Sequence, residues 1–175
     1  MHTSHTTQPT NEVPHESKQH EAAKDHGEPY QKLLWMIIVS FIAMYILMYA
    51  MVDKFENVIP NFNQFYMAGL MSSPMLIIEL LLMGKMYPNK KLNRLLISLG
   101  VFLLVVFFQL IRGQTAIDDK QFLKSMIPHH AGAILMVEQS ELKDPEVMQL
   151  AEDILKAQQQ EIDFMKAKIE ELDNR

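Results

Sequence analysis

Residues 126–136 read Met-Ile-Pro-His-His-Ala-Gly-Ala-Ile-Leu-Met. Two adjacent imidazoles flanked by thioethers make a donor set for a soft metal ion. The whole chain has 14 methionines and 7 histidines but no cysteine. With thiolates absent, thioether and imidazole are the donors left for a soft ion, and they favour Cu(I), with Ag(I) as a second candidate, over zinc or manganese. The same absence excludes disulfides, zinc–thiolate sites and thiol catalysis, and is compatible with an oxidising compartment.

The donors need helices to position them. Asp118 or Asp119 can cap a helix running to about Leu142, with Pro128 expected to kink or restart it because proline removes a backbone donor and clashes one turn back. Asp144-Pro145-Glu146 is a strong second start, with a capping carboxylate, proline at the first helical position and an acid in the first turn. That second helix is expected to reach about Leu172. Val147, Leu150, Ala151, Ile154, Leu155, Gln158, Ile162, Met165 and Ile169 form its stripe.

Two helices joined by a short link pack antiparallel. Met126, His129, Ala133 and Met136 share one face of the first, while His130 points about 100° away from His129. The antiparallel arrangement brings the late turns of the second helix, with Gln158, Glu161 and Met165, towards Met126, His129 and His130. The expected product is an imidazole and thioether site with a carboxylate to orient an imidazole. The plainer alternative is one buried, hydrogen-bonded histidine beside a solvated one.

Ahead of this hairpin the chain is a membrane protein by pattern. The mean hydropathy is close to zero, but it averages a polar tail, a strongly apolar middle and a charged, amphipathic end. Residues 33–52 carry no charge and are long enough to cross a bilayer, which takes about 20 apolar residues. The expected spans are 33–52, 65–83 and 95–111, with Tyr30 and Trp35 at the interface. The first reads as an uncleaved anchor. Lys18, Lys24, Lys32, Lys85, Lys90, Lys91 and Arg94 fall on one side, and Lys54, Arg112, Lys120 and Lys124 on the other. Seven basic residues against four places the N-terminus in the cytoplasm and residues 112–175 outside it. The expected location is a bacterial inner membrane, with lipid as the first partner.

The spans carry their own pattern. Met67, Met71, Met75, Glu79 and Met83 recur every four residues, and Met44, Met48 and Met51 share a face. Such steps stack side chains along one side of a helix. One reading is a membrane path for a soft metal, with Glu79 adding charge. The other is helix packing, for which methionine is well suited, with Glu79 bonded to Ser72, Ser73 or Gln109. Residues 1–32 hold His2, His5, His15, His20 and His26 among polar residues without any period, and are expected to form a disordered, His-rich tail that collects metal or simply stays solvated.

The C-terminal motifs resemble the ferritin-like family called domain of unknown function 305, which has copper-binding periplasmic members. The resemblance rests on Met126 to His130, Gly132 to Ile134, Met136, Asp144 to Glu146, and Gln158, Glu161, Ile162 and Met165. It implies copper binding by Met126, His129, His130, Met136 and Met165, with Glu161 and Gln158 in support. It also implies a four-helix architecture, of which this chain has one hairpin. Either two chains pair to complete a bundle, or the hairpin docks on the membrane part.

The expected fold is therefore all-α, three transmembrane helices followed by a ferritin-like hairpin. The expected function is a membrane-anchored Cu(I)-binding protein, acting by sequestration or handover to copper-handling partners. The alternatives are a Met-lined metal transporter and a metal-free oligomerisation module. A net charge of −5 argues against nucleic acid, which needs a basic face. The sequence holds no nucleophile–base pair, no phosphate loop and no Glu-x-x-His pair of the di-iron type, so no enzyme activity and no catalytic residue are assigned.

Overall fold

The computed structural model describes residues 15–174, with side chains from residue 27 onward. Five α-helices follow one another: α1 (His15–Leu47), α2 (Phe62–Leu82), α3 (Lys90–Arg112), α4 (Asp119–Gln139) and α5 (Pro145–Asp173). Two short 3-10 turns, Met48–Met51 and Phe55–Asn57, lie between α1 and α2, and no strand occurs among the described residues. Three segments are long and apolar enough to cross a membrane, Gly27–Met51, Phe62–Leu82 and Lys90–Arg112, close to the expected spans.

One expectation about the N-terminal third changes. His2 and His5 lie outside the described residues, but His15, His20 and His26 belong to α1 and not to a disordered tail. The glutamates, lysines and alanines between them are good helix formers. They extend a helix that the apolar span already nucleates, which costs far less than starting one. Tyr30, expected at the interface, donates a hydrogen bond to Asn93 Oδ1 at 2.7 Å and lies against the Tyr87 ring, so it ties α1 to the start of α3.

Helix α2 is the centre of the membrane region and packs on both α1 and α3. Its buried residues include Tyr66, Gly69, Ser73, Leu76 and Leu80, spaced three and four apart as one helix face requires. Asn61 caps it, accepting the Gln64 amide at 2.9 Å. Close approach to α3 depends on two glycines. A Cβ on Gly69 would lie 2.4 Å from the Phe107 ring, and one on Gly100 would lie 2.8 Å from Ile77 Cγ1. The outward faces of α1 and α3 stay exposed, with Trp35, Ile46, Leu95 and Phe102 uncovered, as suits a surface solvated by lipid.

A tight turn reverses the chain between α3 and α4. Gln114 and Ala116 adopt positive φ there, 46° and 59°, a region that costs an L-residue about 1–2 kcal/mol. Gln114 is held by a reciprocal amide pair with Asn63 and by its own bond to the Ile111 carbonyl. The Ala116 side chain offers no such hydrogen bond, so Ala116→Gly is expected to raise stability by about 0.5–1 kcal/mol, read as a higher unfolding midpoint in detergent.

Helices α4 and α5 form the expected antiparallel hairpin. Asp118 caps α4 through the Gln121 amide, and Asp144 caps α5 through the amides of Glu146 and Val147. Lys120 pairs with Asp173 where the hairpin ends meet. Pro128 neither breaks nor restarts α4, which continues through it to Gln139. The hairpin core is Ile127, Ala131, Ile134, Ile162 and Met165, and Val52 and Ile59 from the loop between α1 and α2 pack against it. A membrane-proximal loop of the same chain thus covers part of this core.

Candidate metal centre

Docking places α4 across the ends of α1 and α2. Asn63 on α2 bonds Ser125 at 3.2 Å, the Phe62 amide donates to Gln121 Oε1 at 3.2 Å, and Tyr66 donates to the Thr115 carbonyl at 2.9 Å. Gly132 faces the turn after α1: a Cβ there would sit 3.5 Å from the Met51 carbonyl oxygen. The small residues of α4 therefore serve two contacts at once, Ala131 in the hairpin core and Gly132 against the membrane region.

Between these bodies lies a cleft of about 410 Å³. Met126, His129, Ala133 and Met136 line it from α4, Met48 and Met51 from the turn after α1, and Met67 from α2. Asn61, Asn63, Gln64 and Ser125 supply its polar lining. One imidazole and five thioethers thus border a single space. The face shared by Met126, His129, Ala133 and Met136 is the one expected from helical spacing. The arrival of Met48, Met51 and Met67 on the same space goes beyond both sequence readings of them, a membrane path and helix packing.

His130 goes elsewhere. It is buried, and its Nε2 lies 2.6 Å from Glu161 Oε2. A carboxylate only accepts hydrogen bonds, so the Nε2 proton is the one shared. This leaves His130 Nδ1 buried without a partner, a condition it shares among the described residues with Asp53 Oδ2 and Asn57 Oδ1. The His129 and His130 rings are 6.0 Å apart and inclined by 60°. The two imidazoles therefore serve different surroundings. Met165 is buried in the hairpin core, away from the cleft lining, and Gln158 is half-buried on α5. Of the five expected ligands, the cleft brings together Met126, His129 and Met136.

The asymmetry has a testable side. Removing the buried member of a hydrogen-bonded pair leaves a void and an unmatched partner, typically about 1–3 kcal/mol. His130→Ala is expected to cost that much in thermal or denaturant unfolding, whereas His129→Ala, at an exposed position, should change stability by less than about 0.5 kcal/mol.

Below the cleft the methionine ladder changes character. Met71 on α2 and Met83 just after it are exposed, Met75 and Met44 are half-buried, and a cavity of about 280 Å³ between the spans is lined by isoleucine, leucine, phenylalanine, Ser72 and Ser73 without methionine. Glu79 sits in the last turn of α2 and accepts a 3.1 Å hydrogen bond from the Tyr87 hydroxyl. It is therefore near the end of its span. Neither Ser72 nor Ser73 is its partner, since both hydroxyls bond the Gly69 carbonyl one turn back. Burial, reinforced by the adjoining Glu79 carboxylate, pushes the Tyr87 phenol above its ordinary range.

Residues 107–169 match the family model described as domain of unknown function (DUF305). Across a longer stretch, the chain is 37% identical over 142 residues to an uncharacterized protein of Acanthamoeba polyphaga mimivirus, covering 79% of this chain and 91% of the viral one. The chain belongs to one family with that viral protein. Its DUF305 domain comprises the end of α3, the turn, α4 and most of α5. The alignment with the viral protein is longer than the DUF305 domain, so the likeness includes part of the preceding chain. No solved structure matches the chain significantly.

Proposed function

We propose that this protein is a membrane-anchored binder of Cu(I), with Ag(I) as a chemical surrogate, that holds the ion for sequestration or handover in metal homeostasis or resistance. The observation that carries this reading is the convergence of His129, Met126 and Met136 on one cleft beside the membrane. The donor chemistry fits a soft monovalent ion, because thioether sulfur and imidazole nitrogen suit Cu(I) better than harder ions. Uncharged thioethers also bind without losing a proton, so the site does not depend on a thiolate. His130, anchored by Glu161, presents an unpartnered ring nitrogen one residue away from His129. That bond ties α5 to the turn of α4 that carries His129.

The proposed role is binding and release without catalysis. His129 and Met136 are exposed, so a copper-handling partner has direct access. The distribution of lysine and arginine favours a cytoplasmic N-terminus, with the cleft and hairpin on the opposite face. Transport along the α2 ladder is the weaker reading, because Met71 on that helix and Met83 just after it are exposed.

The test is an anaerobic Cu(I) titration of the full chain in detergent against a chromogenic Cu(I) chelator. Stoichiometric withdrawal of the ion from the chelator supports the reading. A chain that never competes, at any chelator concentration that still reports free Cu(I), is not a copper binder.

A further inference from the structure

We propose that the ion site is completed from the membrane: Met48, Met51 and Met67 supply thioether ligands to the same ion as His129, Met126 and Met136. This rests on the Cu(I) reading above and gives the membrane region a part in it beyond anchoring. All three residues lie outside the DUF305 domain, which spans 107–169.

Three observations carry it. The six side chains line one cleft. They belong to three separate parts of the fold, α4, the turn after α1, and the first half of α2. Convergence of so many thioethers from separate elements is not a consequence of any single helix repeat. Three of the five methionines are also poorly used as packing residues. Met51, Met67 and Met136 are 54%, 40% and 53% exposed, although methionine stabilises a core by filling gaps. Here they border a space that also has amide side chains, from Asn61, Asn63 and Gln64.

The third observation is that the bodies are fastened next to the cleft. The Asn63 side chain bonds both Gln114 and Ser125, and α4 meets the backbone of Met51 through Gly132. Donors from the hairpin and from the membrane region are thereby held at one place, whereas long thioether side chains keep the freedom to close on an ion. Cu(I) uses only a few ligands at a time. Six donors around one cleft therefore exceed what a single resident ion needs, and the surplus gives an incoming or departing ion alternative sulfurs on the membrane side.

The experiment uses the full chain in detergent and compares wild type, Met48→Leu/Met51→Leu/Met67→Leu, His129→Ala, and Met71→Leu/Met83→Leu as a control outside the cleft. Leucine conserves apolar character and approximate volume, which helix packing tolerates well. Cu(I) affinity is read by chelator competition, and the sulfur count around the ion by X-ray absorption at the copper edge. The expected result is at least about a tenfold loss of affinity and a lower sulfur count in the triple variant, with the control unchanged. If His129→Ala loses the ion while the triple variant matches wild type in both readouts, the hairpin holds copper alone; this inference falls and the proposed function stands. If wild type itself takes up no Cu(I), both fall. Should the triple variant lose its helical circular dichroism, Met51→Leu and Met67→Leu are measured singly, and wild-type affinity in both overturns the proposal.

Discussion

Replacing His129 with alanine is expected to lower Cu(I) affinity by at least about 100-fold, because outer partners of a metal ligand alone are worth about 10–100-fold and His129 is placed to be a direct one. It is the imidazole in the cleft lining, and thioethers by themselves are weaker donors than a mixed nitrogen and sulfur set. Its exposure means that the loss should come without unfolding, so the circular dichroism and melting temperature of the variant should match wild type. His130→Ala should show the opposite balance, since it unlinks Glu161 from α4 and opens the hairpin interior. Chelator competition on the two single variants, read beside their melting curves, separates the two roles. Equal affinities in wild type and His129→Ala would remove the cleft from consideration as the site.

The second large effect concerns the membrane region. Gly69→Leu is expected to destabilise it by about 3 kcal/mol or more, the upper range for forcing bulk into a packed site. A Cβ alone would already lie 2.4 Å from the Phe107 ring, and leucine adds three more carbons in the same direction. In lipid, helices associate mainly through close packing, so a lost approach is not offset by burial from water. Phe107 also borders the apolar cavity between the spans, and its ring has some room to move. Gly69→Ala should therefore cost less than Gly69→Leu, and Phe107→Ala should partly rescue Gly69→Leu. The midpoint of SDS-induced unfolding, followed by circular dichroism in a double-mutant cycle, measures this. A cycle with no coupling between positions 69 and 107 would contradict the proposed contact.

Local signals in the sequence located most of the elements. The three long apolar runs mark the spans, and Asp144-Pro145 marks the start of α5, because apolar length and capping chemistry act over a few residues. The shared face of Met126, His129 and Met136 and the approach of Glu161 to His130 follow from helical spacing and antiparallel packing. Tertiary docking set the rest. Nothing in the periodicity of residues 44–51 or 67–83 says that Met48, Met51 and Met67 meet α4, since that depends on the course of the loop at 52–61. Glu79 lies in the last turn of α2, so its partner comes from beyond the helix and not from the serines one and two turns back. Its true partner, Tyr87, lies in the following turn. Met165 matched a motif but sits in the core, because Ile162 and Ile169 place that stripe against α4. The cluster of Asn61, Asn63 and Gln64 just after the first loop was a usable signal of a polar docking edge.

The packing of Val52 and Ile59 into the hairpin core has a consequence for biosynthesis. These residues leave the ribosome well before Ile127, Ile134 and Ile162, the residues that cover them. During that interval two β-branched side chains wait uncovered on a loop at the membrane border, and only the last third of the chain shelters them. A nascent chain arrested after its third span is therefore an exposed, unfinished product that a quality-control protease could recognise. Completion of the C-terminal hairpin is what turns three inserted helices into a finished protein.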